Sequence, residues 1–243
     1  MYHDIISHDV AESGFQNKTA LKYKVSTDAF ENQVKQIRKY LDSQKLPASS
    51  IRFTFDDGGV SFLTNAAPIL EKYGFKGVFF ISTGNIGSKG FLNVDQIREL
   101  AGRGHVIGSH SHSHPERMAA MPIKNIQDEW SVSQLKLSEV LGYNPLMASI
   151  PNGYSSSEVI KCMESAAIDE IYTSTPTSKI KQKKNYSLIG RYAVTADMSC
   201  DDVLAIVSSS YKRFKIGCRQ KILNLTKMIL GNYYLTIRKK LTK

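Results

Sequence analysis

The sequence predicts a mostly parallel α/β domain, and three observations carry that prediction. Short runs rich in β-branched and aromatic residues alternate repeatedly with stretches of helical periodicity. The 243 residues suffice for one large domain or two small ones. The composition, 42% hydrophobic and 22% charged, is that of a folded globular chain rather than a disordered or collagen-like one.

The elements follow in order. Phe30, Val34, Ile37 and Leu41 recur at i, i+4, i+7 and i+11, which is one face of a helix. Strands are predicted over 51–55, 77–82 and 105–109. Asn93 with Gln96 forms a capping-box pattern opening a helix over 94–103, and Gly104 suits the position just past its end. A helix over 123–141 leads to a strand at 147–150, and a helix over 156–166 to a strand at 170–174. A strand at 188–194 precedes a last helix after Ser199, where Asp201 and Asp202 complement the helix dipole. Such a series can close as a barrel or stay open, and periodicity does not decide between them.

Several classes are excluded or disfavoured. No run of 18 apolar residues exists, so no transmembrane helix is expected. The first residues lack a basic stretch followed by an apolar one, so no secretory signal is expected. Cys162, Cys200 and Cys218 are odd in number and widely spaced, which suits reduced thiols in a cytoplasmic protein and gives no Cys-based zinc site.

The net charge is +10, from 32 Lys and Arg against 22 Asp and Glu. Ten of the basic residues and none of the acidic ones lie in 211–243, so the excess belongs entirely to that segment. The chain thus divides into an electroneutral domain, 1–210, and a basic tail, 211–243. Phe214, Ile216, Ile222, Leu225, Ile229, Tyr233 and Ile237 interleave with the charge. The 222, 225, 229, 233 spacing is helical, with Gly231 as a breaker. A basic, apolar-striped helix suits peripheral contact with an anionic membrane, on the inner face for a cytoplasmic protein. A helix packed back on the domain and a solvated tail are the alternatives. Nucleic acid is not expected, because the tail matches no readout motif.

Two motifs carry chemistry. Thr54-Phe55-Asp56-Asp57-Gly58-Gly59 comes directly off a predicted strand. Adjacent carboxylates repel, and a cation held by one while the other acts as a base would make the pairing worthwhile. The same residues also read as a simple turn after a strand. The second motif is Gly108-Ser109-His110-Ser111-His112-Ser113-His114-Pro115. His110 and His114 are four apart, so a helical turn would place both imidazoles on one side, with His112 pointing elsewhere. A polar loop without a ligand is the other reading.

Together, in this order, the motifs resemble those of the NodB-homology polysaccharide deacetylases, carbohydrate esterase family 4, over about residues 1–205. The resemblance implies a distorted, incomplete (β/α) barrel with its site at the C-terminal ends of the strands. It implies one divalent metal ion held by Asp57, His110 and His114. Zn comes first, and Co, Ni or Fe also suit such a set. Asp56 would be the general base toward a metal-activated water that removes N-acetyl (or O-acetyl) groups from an amino-sugar glycan or a lipid- or nucleotide-linked precursor. Ile150-Pro151-Asn152-Gly153 matches the family's third motif, whose backbone N–H assists the oxyanion; Asn152 stands at a Tyr position.

Two further departures stand out. Ser149 occupies the place of an Arg that orients the base, a role Arg191 could take unless it is an ordinary surface residue. No His follows His114, so the family's late general-acid His is missing, and His3 is a candidate for that role or for a structural one. Deformylation of a lipid-linked formamido sugar, and a catalytically silent sugar-binding or scaffold protein, are the competing functions.

Overall fold

The computed structural model describes residues 1–223. Its elements are β1 (Ile5–Ile6), α1 (Lys18–Leu21), β2 (Val25–Ser26), α2 (Thr27–Ser43), β3 (Phe53–Phe55), α3 (Ala67–Lys72), β4 (Gly77–Ile81), α4 (Val94–Gly102) and β5 (Val106–Ser109). There follow α5 (Ile123–Leu141), β6 (Met147–Ser149), α6 (Ser157–Ser165), β7 (Glu170–Tyr172), β8 (Ile180–Gln182), β9 (Ser187–Ile189) and α7 (Cys200–Ser208). A further helix, α8, covers residues 210–223. The helical spacing expected beyond 223 lies outside the described residues.

Seven strands form one curled sheet in the order β3-β4-β5-β6-β7-β9-β8, parallel throughout except for the antiparallel β8–β9 pair. Strands β3 and β4 are buried at every position, as parallel strands covered on both faces are. The sheet leaves a seam between β3 and the β9 end, and the first two residues bridge it. The Tyr2 N–H donates to the Thr54 carbonyl at 2.8 Å and the Asp56 N–H to the Tyr2 carbonyl at 3.1 Å. On the other side, the Met1 amino group donates to the Tyr192 carbonyl and the Val194 N–H to the Met1 carbonyl, both at 2.9 Å. The architecture is therefore the incomplete barrel that the resemblance implies.

Local chemistry explains the helices. The Ser26 hydroxyl caps α2 by accepting from the Ala29 N–H, and Phe30, Val34, Ile37 and Leu41 are buried along one stripe. The Asn93–Gln96 capping box closes on both sides, and Gly104 takes the left-handed φ of 81° that ends α4. Ser199 caps α7 through the Asp202 N–H. The larger core joins α2, α3 and the first strands through Tyr2, Phe30, Phe53, Phe55, Phe62 and Phe79. A second core sets Trp130 of α5 against Ile150, Met163 of α6 and Ile171.

Three departures from the expected elements matter. The strand expected over 51–55 begins at Phe53, because a turn over Ala48–Ser50 runs into Ile51. The strand expected over 188–194 stops at Ile189, after which Arg191 turns into the barrel and Tyr192 and Val194 pair with Met1. Strand β8 was not expected: all three of its residues are exposed, so it carries no alternation to read.

Candidate active site

Asp56 and Asp57 leave β3 where its register with β4 ends. Asp57 adopts φ 89°, and Gly59 lies so close to Asp4 that a Cβ there would fall 2.0 Å from Oδ1. Glycine at 59 is thus a requirement of space. Asp4 is buried and accepts from the Ser13 hydroxyl at 2.6 Å and the Ser61 hydroxyl at 3.1 Å, which ties the N-terminal loop to this turn.

The loop 110–115 is not the helical turn suggested by the four-residue spacing. Ser111 and His114 have left-handed φ values of 64° and 56°, and this reversal brings the two imidazoles together. Their ring centroids lie 5.0 Å apart. Asp57 Oδ1 stands 3.4 Å from His110 Nε2 and 3.2 Å from His114 Nε2. His112 points away, with Nδ1 3.0 Å from the Thr83 hydroxyl, and His105 serves the opposite end of the sheet, accepting the Gly77 N–H. Four of the six non-glycine residues with positive φ among the described residues are Asp57, Ser111, His114 and Asn152. Backbone strain is thus concentrated where the chemistry-bearing side chains meet.

Helix α5 holds the histidine loop. The buried Glu129 carboxylate accepts from the N–H groups of His112 and Ser113, at 2.9 and 2.8 Å, and from the Ser113 hydroxyl at 2.5 Å. One turn on, the Ser133 hydroxyl meets that of Ser109 at 2.7 Å. Neither residue was singled out from the sequence. The available signal was two polar residues four apart on the stripe of α5 that buries Trp130 and Leu137.

Asp56 sits opposite this loop in a buried fork. Arg191 Nη1 and Nη2 donate to its Oδ1 and Oδ2 at 2.6 and 2.8 Å, and both side chains are 4% exposed. The guanidinium lies 5.4 and 5.7 Å from the ring centroids of Phe80 and Tyr172, which pack against each other at 5.0 Å. Arg191 is therefore no surface residue. Ser149 donates its hydroxyl to Asp56 Oδ1 at 3.2 Å, and its carbonyl lies 2.9 Å from His110 Nδ1. A carbonyl only accepts, so Nδ1 carries the proton and Nε2 is free to act as a donor atom toward a metal.

The charges follow from these contacts. Burial alone would raise the Asp56 carboxyl, but Arg191, His110 and His3 outweigh it and hold the group at about 2. Burial opposes ionisation of Asp57 too, but the adjacent imidazoles of His110 and His114 outweigh it and keep the group well below the carboxylate range. Burial lowers His3, despite the opposing pull of Asp57 and Asp56, and its Nδ1 has no hydrogen-bond partner among the described residues.

One carboxylate and two imidazoles whose donor atoms lie within 4.8 Å of one another fit a single divalent ion. Beside them, Pro151 is buried, and Asn152 takes φ 55° with its amide 3.5 Å from the Pro115 carbonyl. The Tyr position held by Asn152 is thus polar, while Tyr154 carries a half-exposed ring against Arg117, 5.6 Å from its centroid.

The family model for polysaccharide deacetylase matches residues 43–171, more than half of the chain. The chain belongs to the polysaccharide deacetylase family. Among its family relatives, YxkH of Bacillus subtilis (strain 168), named for polysaccharide deacetylation, is 29% identical over 160 residues, 65% of this chain and 57% of YxkH. The poly-β-1,6-N-acetyl-D-glucosamine N-deacetylase of Staphylococcus aureus (strain MSSA476) is 34% identical over 94 residues, covering 39% of this chain and 32% of that enzyme. The chain thus spans from a third to just over half of the length of these relatives. Deacetylase PplD of Streptococcus pyogenes, solved with acetate, superimposes with a TM-score of 0.68 at 22% identity, covering 84% of this chain and 95% of PplD. The polysaccharide deacetylase of Bacillus cereus, BC0361, gives 0.69 at 19% identity, over 85% of this chain and 67% of the other. These two share the fold of this deacetylase-family chain.

Proposed function

We propose that the chain is a metal-dependent hydrolase that removes N-acetyl groups from an amino-sugar glycan or its precursor. The observation that carries this reading is the juxtaposition of two carboxylates in different environments: Asp57 faces two imidazoles, and Asp56 is gripped by Arg191. Asp57, His110 and His114 would hold a divalent ion, which would supply Lewis acidity toward the acyl carbonyl and lower the pKa of water.

The protein's own groups do the rest. Asp56 stays ionised across the working pH range and accepts the proton of the attacking water, while Arg191 and Ser149 fix its two oxygens. The N–H of Asn152, on the loop beside the histidines, supports the oxyanion. His3 follows Tyr2, which is bonded to Thr54 and Asp56, and lies close enough to sense the charges of Asp56, Asp57 and His110. Its imidazole packs on the Tyr23 ring at 4.4 Å between centroids, its Nδ1 lacks a hydrogen-bond partner among the described residues, and we assign to it the proton delivered to the departing amine. The substrate class is that named for the Staphylococcus relatives, a β-1,6-linked polymer of N-acetylglucosamine.

The test is acetate release from β-1,6-linked N-acetylglucosamine oligomers by the chain loaded with Zn or Co, then after chelation, then after metal is restored. Acetate should appear, stop and resume. If the metal-loaded protein releases neither acetate nor formate from N-acylated amino-sugar oligomers, the reading is wrong.

A further inference from the structure

Helix α8 and the β8–β9 hairpin flank one opening in the barrel. Ile180, Tyr192, Val207 and Arg213 line the same cavity of about 480 Å³. A Cβ at Gly217 would sit 3.9 Å from the Pro176 carbonyl oxygen. The inward side of α8 is anchored: Lys212 pairs with Asp202 at 2.8 Å, and Arg213 Nη1 donates to the Ile206 and Val207 carbonyls at 2.9 and 2.8 Å. These contacts leave Tyr211, Phe214 and Lys215 on the outward side, at the i, i+3, i+4 spacing of a single helix face.

That outward face is the reverse of an ordinary surface helix. Tyr211 and Phe214 are 64% and 67% exposed, and the Lys215 ammonium lies 4.5 Å from the Tyr211 ring centroid. Across the opening, Ile180 is 61% exposed, and β8 has no buried residue. Charge on the hairpin and α8 themselves is basic, although Glu164 accepts from Asn185 on the hairpin and Asp197, Asp201 and Asp202 lie between the two segments. Residues 171–196 and 203–223 contain no Asp or Glu, while Lys179, Lys181, Lys183 and Lys184 lie on the hairpin. Lys215, Arg219 and Lys221 lie on the helix. Exposed rings and an aliphatic side chain amid lysines match the headgroup zone of an anionic bilayer, where rings enter the interface and ammonium groups meet phosphates.

We propose that this face, built from the β8–β9 hairpin and α8, docks peripherally on anionic phospholipid. The docking does not depend on the proposed reaction, because none of these residues belongs to the candidate active site. It extends the membrane contact expected of the basic tail to a second element, the hairpin, that precedes the tail in sequence.

Co-sedimentation of the full 243-residue chain with vesicles tests this. Phosphatidylcholine vesicles are compared with mixed phosphatidylcholine and phosphatidylglycerol vesicles at low and physiological salt. The chain should sediment only with the mixed vesicles, and less at the higher salt. Tyr211→Ala with Phe214→Ala, and separately Lys179, Lys181, Lys183 and Lys184 all changed to Gln, should each weaken partitioning. Each lysine removed costs up to about fivefold. Melting temperature and metal content should match wild type in both variants. Wild-type sedimentation by both variants would overturn the proposal, because binding would then owe nothing to this face. Equal binding to uncharged vesicles, or tighter binding to a duplex oligonucleotide than to the mixed vesicles, would overturn it too.

Discussion

Arg191 and Asp56 form a two-pronged ion pair inside the barrel, at 2.6 and 2.8 Å, although 135 residues separate them in the chain. The pair couples the strand that begins the site to the segment that ends the sheet, so it bears on both stability and reactivity. Replacing Arg191 by Met leaves a buried carboxylate without a counter-charge, and loss of one partner in such a pair costs about 3–5 kcal/mol. Denaturant unfolding of Arg191→Met should show a loss of that order. Arg191→Lys keeps the charge but loses the fork, and should fall between Arg191→Met and wild type.

Glu129 is expected to govern metal affinity without touching the metal. Its carboxylate accepts three hydrogen bonds from the loop that carries both histidines. Glu129→Ala should weaken metal binding by roughly 10–100-fold, the range for lost supporting contacts, with Glu129→Gln intermediate. Isothermal titration with Zn or Co measures it. Unchanged affinity in Glu129→Ala would show that the loop holds its shape without α5.

Glu71 supplies an acid-sensitive part of the stability. Hydrogen bonds from Arg103 act first, against burial, and with Lys76 they bring its carboxyl down to about 2. A carboxyl lowered on folding contributes stability that is fully present above its unfolded pKa, about 4.3. That contribution is lost as pH falls toward 2. The difference in melting temperature between wild type and Glu71→Gln should be largest at neutral pH. It should shrink between about pH 4.3 and 2. A difference that stays constant over that window would contradict this assignment.

Gly59 tests the packing of the Asp-Asp turn. An added methyl would collide with Asp4 and lie 2.5 Å from the Ser13 hydroxyl. Gly59→Ala should therefore cost about 1–3 kcal/mol, as overpacking does, and should lower metal affinity by displacing the turn that carries Asp57. Chemical denaturation and metal titration of the same variant read both effects.

The long elements were legible because their signals are local. The stripe of Phe30, Val34, Ile37 and Leu41, the Asn93–Gln96 box and the span 123–141 each state their structure within a few residues. The candidate metal-ligating set was legible as a motif, but its geometry was not. A four-residue spacing between histidines suggested a helical turn, whereas the loop turns left-handed at Ser111 and His114 and closes the intervening amides of His112 and Ser113 on Glu129, which only tertiary packing brings there. Arg191 was legible as a candidate to orient Asp56, because Ser149 leaves that role open, but the two-pronged contact itself closes over 135 residues and leaves no trace in local pattern. The bridging of the seam by Met1 and Tyr2 rests on four backbone hydrogen bonds, and periodicity cannot reveal so short a pairing.

The central claim is that Asp56 acts as the base while Asp57 belongs to the metal site. The most direct measurement is acetate release by Asp56→Asn and by wild type at equal, verified metal content. The account predicts that Asp56→Asn binds one divalent ion per chain and turns over about 10²–10⁴ times more slowly. Turnover equal to wild type at full metal occupancy would contradict it.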